Sequence, residues 1–99
     1  MFKNWWKQAK IEIQIKRFIK EITKRCRNEI YVDYYKSFGG TYMIWHNRGD
    51  WELNDGEFKE MCGELIGKYF YDKDIWDVAF GYDYKRAGLN TNANNYQGN

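Results

Sequence analysis

Ile11, Ile15, Phe18, Ile19, Ile22 and Cys26 fall on one side of a helix drawn at 100° per residue, and that stripe constrains the chain more than any other feature. It predicts a long N-terminal helix with one flank buried against the rest of the domain. The opposite flank has a pattern of its own. Phe2, Trp6, Ala9 and Ile13 step by four, three and four, and the line continues as Arg17, Lys20, Lys24 and Arg27. Its back is therefore apolar at the N-terminal end and basic at the C-terminal end. A flank that only had to stay wet would have no use for Phe2 and Trp6, and Trp5 lies between the two stripes.

Residues 10–16, KIEIQIK, compete with this reading because they alternate strictly, as a half-buried strand does. A strand there would give the ferredoxin-like order β-α-β-β-α-β. No Gly, Asn, Ser or Pro separates Ile15 from Phe18 to turn a strand into a helix, so one continuous helix ending near Asn28 is preferred.

Beyond Asn28, Ile30, Val32 and Tyr34 alternate with Tyr31, Asp33 and Tyr35, which predicts a strand. Gly39 and Gly40 supply positive-φ residues for a tight hairpin into the strand 41–46, whose two faces are both apolar. A second helix follows, with Asn54 as its N-cap, Glu57 completing a capping box, and Leu53 and Phe58 as a hydrophobic staple. Its core stripe is Phe58, Met61, Cys62, Leu65, Ile66 and Tyr69, and Glu64 is positioned to pair with Lys68. A last strand carries Trp76, Val78, Phe80, Tyr82 and Tyr84 on one face. Residues 88–99 lack charge and periodicity and read as a flexible polar tail. The expected fold class is α+β: a small, mainly antiparallel sheet packed by two helices in the order α-β-β-α-β, forming a single domain over residues 1–87.

Charge is distributed unevenly. Residues 1–28 hold nine Lys/Arg against two Glu, and the remainder seven against twelve Asp/Glu, so a basic helix stands on an acidic body within a net charge of +2. Cys26 and Cys62 sit on the apolar faces of the two helices. With no secretory signal or dense cysteine framework, they read as buried thiols of a cytoplasmic protein, a single disulfide between helices being the alternative. No apolar run is long enough to span a bilayer.

Catalytic and metal chemistry find little support. The one histidine, His46, and the one serine, Ser37, lie across a hairpin without a glycine-flanked elbow, and a structural, hydrogen-bonded His46 is expected. No zinc spacing or phosphate loop occurs, and the acidic run 50–55 departs from a calcium loop at the required turn. The Arg-Gly-Asp triplet at 48–50 reads as loop chemistry. Neither enzyme activity, cofactor nor metal is expected. Aromatics make up 20% of the chain, and rings that stay at the surface suit binding faces.

These features favour a small protein-binding module, an inhibitor or adaptor of the kind that phages and other mobile elements direct at host proteins. Phe2, Trp5, Trp6 and Ile13 would anchor in an apolar pocket of the partner. Arg17, Lys20, Lys24 and Arg27 would meet an acidic surface, with Tyr31 and Tyr35 enlarging the contact. A homodimer through the apolar patch belongs to the same reading. The alternative is nucleic-acid binding through the basic face of the same helix, against which stand the acidic body and the missing recognition signatures. Adsorption of the helix to an anionic membrane surface is a weaker third reading, because the better apolar stripe faces the core.

Overall fold

Helix α1 runs unbroken over Phe2–Arg25, about 36 Å at the standard rise, in a computed structural model that describes residues 2–48 and 56–83, with side chains from Trp5 onward. The stripe is buried as its spacing requires: Ile11, Ile15, Phe18, Ile22 and Cys26 are inside, and Ile19 packs at the margin. Residues 10–16 are the middle turns of this helix, so the ferredoxin-like alternative fails. Ile11 and Ile15 share the inner face while Ile13, two residues from each, points outward. The helix ends in a turn in which Arg27 (φ 55°) and Asn28 (φ 63°) are left-handed, and the Asn28 N–H donates to the Thr23 carbonyl at 2.9 Å.

Strands β1 (Val32–Lys36) and β2 (Tyr42–His46) form an antiparallel hairpin in which Tyr34 lies opposite Ile44. The connection is wider than a two-residue turn. The Gly40 N–H donates to the Ser37 carbonyl at 3.0 Å, the Ser37 N–H donates to the Thr41 carbonyl at 2.8 Å, and only Gly40 has positive φ (97°). Phe38 is left fully exposed at the tip.

Helix α2 (Gly56–Tyr69) then crosses over, a 3-10 turn at Tyr71–Lys73 follows, and β3 (Val78–Tyr82) pairs parallel to β2, with Phe80 beside Ile44. The result is a mixed sheet of order β1-β2-β3 in an α-β-β-α-β chain, an α+β fold. Phe58, Cys62 and Leu65 of α2 are buried as expected. Asn54, Leu53, the aspartate of the Arg-Gly-Asp triplet, Tyr84 and the 88–99 tail lie outside the described residues, as does the 50–55 run.

Both helices cover the same side of the sheet. Phe18 of α1 meets Phe80 edge-on at 5.3 Å, and Phe58 of α2 meets His46 at 5.3 Å. Tyr42 and Ile44 complete this core. Trp45, on the other face of β2, is buried as well, against Tyr31 at 5.7 Å, so the central strand is covered on both sides, as its two apolar faces imply. Trp76 departs from expectation. Strand β3 begins only at Val78, after a bend at Asp77, so the alternation does not reach back to Trp76; its indole is 63% exposed and stacks on Tyr71 instead.

Candidate functional site

Two glutamates fix the roll of α1, and thereby decide which residues it presents outward. Glu12 accepts hydrogen bonds from the hydroxyls of Tyr42 (3.1 Å) and Tyr34 (3.4 Å) on one flank of the core stripe. Burial, followed by the bond to Glu12, pushes the Tyr42 phenol up to about 12. Burial and the Glu12 charge raise Tyr34 in the same direction.

On the other flank Glu21 accepts from the Tyr69 hydroxyl, from Lys68 Nζ at 3.2 Å and from Arg25 Nε at 3.0 Å. The Tyr69 bond is the largest influence on its carboxyl, which lies at about 2; burial, the next largest, opposes it, and the neighbouring ammonium and guanidinium groups act in the same sense as Tyr69. Lys68 therefore pairs across the helices rather than with Glu64, which lies 4.0 Å from Arg25. The interhelical partner prevails because Glu21 is only 20% exposed and already oriented by Tyr69, whereas Glu64 is 76% exposed.

Because both acids of α1 are engaged with the body of the protein, the charges on its outer face are all positive. Arg17, Lys20, Lys24 and Arg27 are exposed, as are Lys10 and Lys16, and none of the six forms an ion pair with a described residue. Arg17, Lys20 and Lys24 rim a shallow depression of ≈ 500 Å³ closed by Glu21, Arg25 and Tyr69. Toward the N-terminus the same face carries Ile13 (49% exposed), Trp6 (65%) and Trp5 (61%), the two indoles meeting edge-on at 5.3 Å. From Trp6 to Lys24 the surface extends about 27 Å. The backbone of Phe2 belongs to the first turn of α1, and its side chain is outside the described residues.

Tyr31 and Tyr35 do not extend this surface. They project from the sheet face opposite the helices, where Tyr31 is half-buried on Trp45 and Tyr35 is exposed, so the sheet itself stands between them and α1. Period-2 alternation placed them correctly on the exposed side of the strand but could not say whether that side would adjoin the outer face of α1.

The histidine and both cysteines lie in the interior. His46 is fully buried between Phe80, stacked at 4.9 Å, and Phe58, and its Nδ1 accepts the Arg48 N–H at 3.0 Å. Cys26 and Cys62 are free, buried thiols. Among the described residues no three His, Cys, Asp or Glu side chains gather to hold a metal, and no helix is long and apolar enough to cross a membrane. Comparison of the chain with protein-family models, curated proteins and solved structures returns no match.

Sequence reasoning missed the roles of Glu12 and Glu21. The signal was present: they are the only two acids in the first 28 residues, and at 100° per residue they flank the apolar stripe on opposite sides.

Proposed function

We propose that this protein is a non-enzymatic protein-binding module, an inhibitor or adaptor, that docks through the outward face of α1. The observation that carries the reading is the continuity of exposed Trp6 and Ile13 with the unpaired Arg17, Lys20 and Lys24 on a helix whose roll is fixed from both flanks. Large apolar side chains held at the surface of a rigid helix are the usual anchors of an interface, and truncating one that becomes fully buried commonly costs about 2 kcal/mol or more. The cations add orientation and association rate toward an acidic partner surface. An origin in a phage or another mobile element, with a host protein as target, and action in the cytoplasm are part of this proposal.

The test is affinity capture from the native host, with and without nuclease, comparing the natural chain with the Trp6→Asp/Ile13→Asp double variant. The variant is expected to fold normally by circular dichroism and to lose its partner. Unfolding of the variant, or undiminished capture, would refute the docking face.

One observation favours nucleic acid as the second reading: five cations along α1 and Arg27 just beyond it have no ion pair among the described residues, while both acids of the helix are turned toward the body. That reading requires oligonucleotide binding that weakens steeply with salt and is lost when Arg17, Lys20, Lys24 and Arg27 are reversed in charge. Absence of a gel shift at low salt would remove it.

A further inference from the structure

A second site lies on the flank of α1 that faces the approach to β3. A groove of ≈ 390 Å³ runs between the N-terminal half of α1 and the segment following the 3-10 turn. Its floor is apolar, made by Ile11 and Ile75, both nearly fully buried. Lys7, Lys10 and Lys73 stand around it, and Trp76 forms a wall. The volume falls in the lower part of the range, roughly 300–1,000 Å³, of small-molecule pockets.

Trp76 is held in a way that an idle surface ring is not. Tyr71 covers one of its faces at 4.6 Å and 17°, and its indole N–H donates to Asp74 Oδ1 at 2.8 Å. Asp74 is itself left-handed (φ 60°) and closes the 3-10 turn, its N–H donating to the Tyr71 carbonyl at 3.0 Å. Two contacts thus set the plane of an indole that remains 63% exposed, leaving its second face open as a stacking platform.

The charges sort themselves in the same direction. Of the two carboxylates at the groove, Asp74 is tied to the indole and Asp77 lies 3.7 Å from Lys7 Nζ. Lys10 and Lys73 have no ion pair among the described residues. A fixed aromatic plane, two unpaired ammonium groups and an apolar floor together fit a planar heteroaromatic ring joined to an anionic phosphate.

We propose that this groove binds a nucleotide, either free or as a unit of a single strand, with its base on Trp76 and its phosphate between Lys10 and Lys73. The site adjoins the outer face of α1 at Lys10 but uses neither Trp6, Ile13 nor the Arg17–Lys24 cations, and it stands whether or not that face captures a protein. ADP and a short oligothymidylate serve as probes, each titrated into the ¹⁵N-labelled full chain while the indole N–H signals are followed. The Trp76 signal is expected to shift saturably while that of Trp5, on another side of α1, stays in place. Movement with ADP alone identifies a free nucleotide, movement with the oligonucleotide alone a strand, and movement with both a site that reads ring and phosphate from either source. Trp76→Ala should weaken binding about tenfold or more, and Trp76→Tyr should restore most of it. Lys10→Ser with Lys73→Ser should weaken ADP but leave the remaining affinity equal to that of adenosine. A Trp76 signal that neither probe moves at millimolar concentration, or shifts confined to the Arg17–Lys24 face, would overturn the proposal.

Discussion

Glu21→Gln isolates the contact that ties α1 to α2, and its signature is a dependence on pH. In the folded protein the carboxyl lies at about 2 against an ordinary 4.5, because the ionised form accepts from Tyr69, Lys68 and Arg25. A depressed acid stabilises the fold above its unfolded value and loses that contribution as pH falls toward its folded value. Stabilisation by Glu21 is therefore complete above about pH 4.5 and vanishes near pH 2. At about 1.4 kcal/mol for each pH unit the difference sets a ceiling near 3 kcal/mol. Lys68 and Arg25 are 59% and 44% exposed, so solvent screening reduces the expected value to about 1–2 kcal/mol. Urea denaturation of both proteins at neutral pH, at pH 4 and near pH 2.5 gives the comparison. The gap between them should narrow steadily toward acid, since the other carboxylates are common to both chains. A gap that is constant across the range, or absent at neutral pH, would refute the assignment.

Three further outcomes follow from particular contacts. Phe18→Ala should cost about 3–5 kcal/mol in thermal or urea unfolding, because the ring is fully buried between Phe70 and Phe80, each at 5.3 Å; a loss below about 1 kcal/mol would place the core elsewhere. Arg27→Gly relieves a left-handed non-glycine residue and should raise stability by about 0.5–1 kcal/mol while weakening partner capture, a separation that an ordinary structural role would not produce. Glu12→Gln should lower the ionisation of Tyr42 from about 12, yet not as far as the ordinary 10.0, since burial is the larger cause; an NMR titration of the labelled phenol ring reads this directly.

How far the fold was legible depended on whether a pattern was local. The α1 stripe, the α2 stripe and the alternation of β1 each repeat within a few turns or residues, and each was realised with the expected residues inside. Exposure of Trp6 and Ile13 followed from the same helical arithmetic. What failed depended on tertiary arrangement: whether the exposed side of β1, with Tyr31 and Tyr35, adjoins α1, the partner that Lys68 selects, and the point where β3 begins and releases Trp76. Neither the Tyr71–Trp76 stack nor the groove beside it has a periodic signature, because both arise where a 3-10 turn interrupts the pattern.

The parallel pairing of β2 with β3 also bears on how the chain is made. Val32–Lys36 finds its partner across a short hairpin, but Tyr42 must wait for Val78, which is synthesised much later and reached through an entire crossover helix. Until then Phe18 and His46 lack Phe80, and one rim of the central strand is open to pairing with other molecules. Nascent or truncated chains stopping short of Val78 should therefore be the species that aggregate, because the β2 rim that pairs with β3 stays open in them.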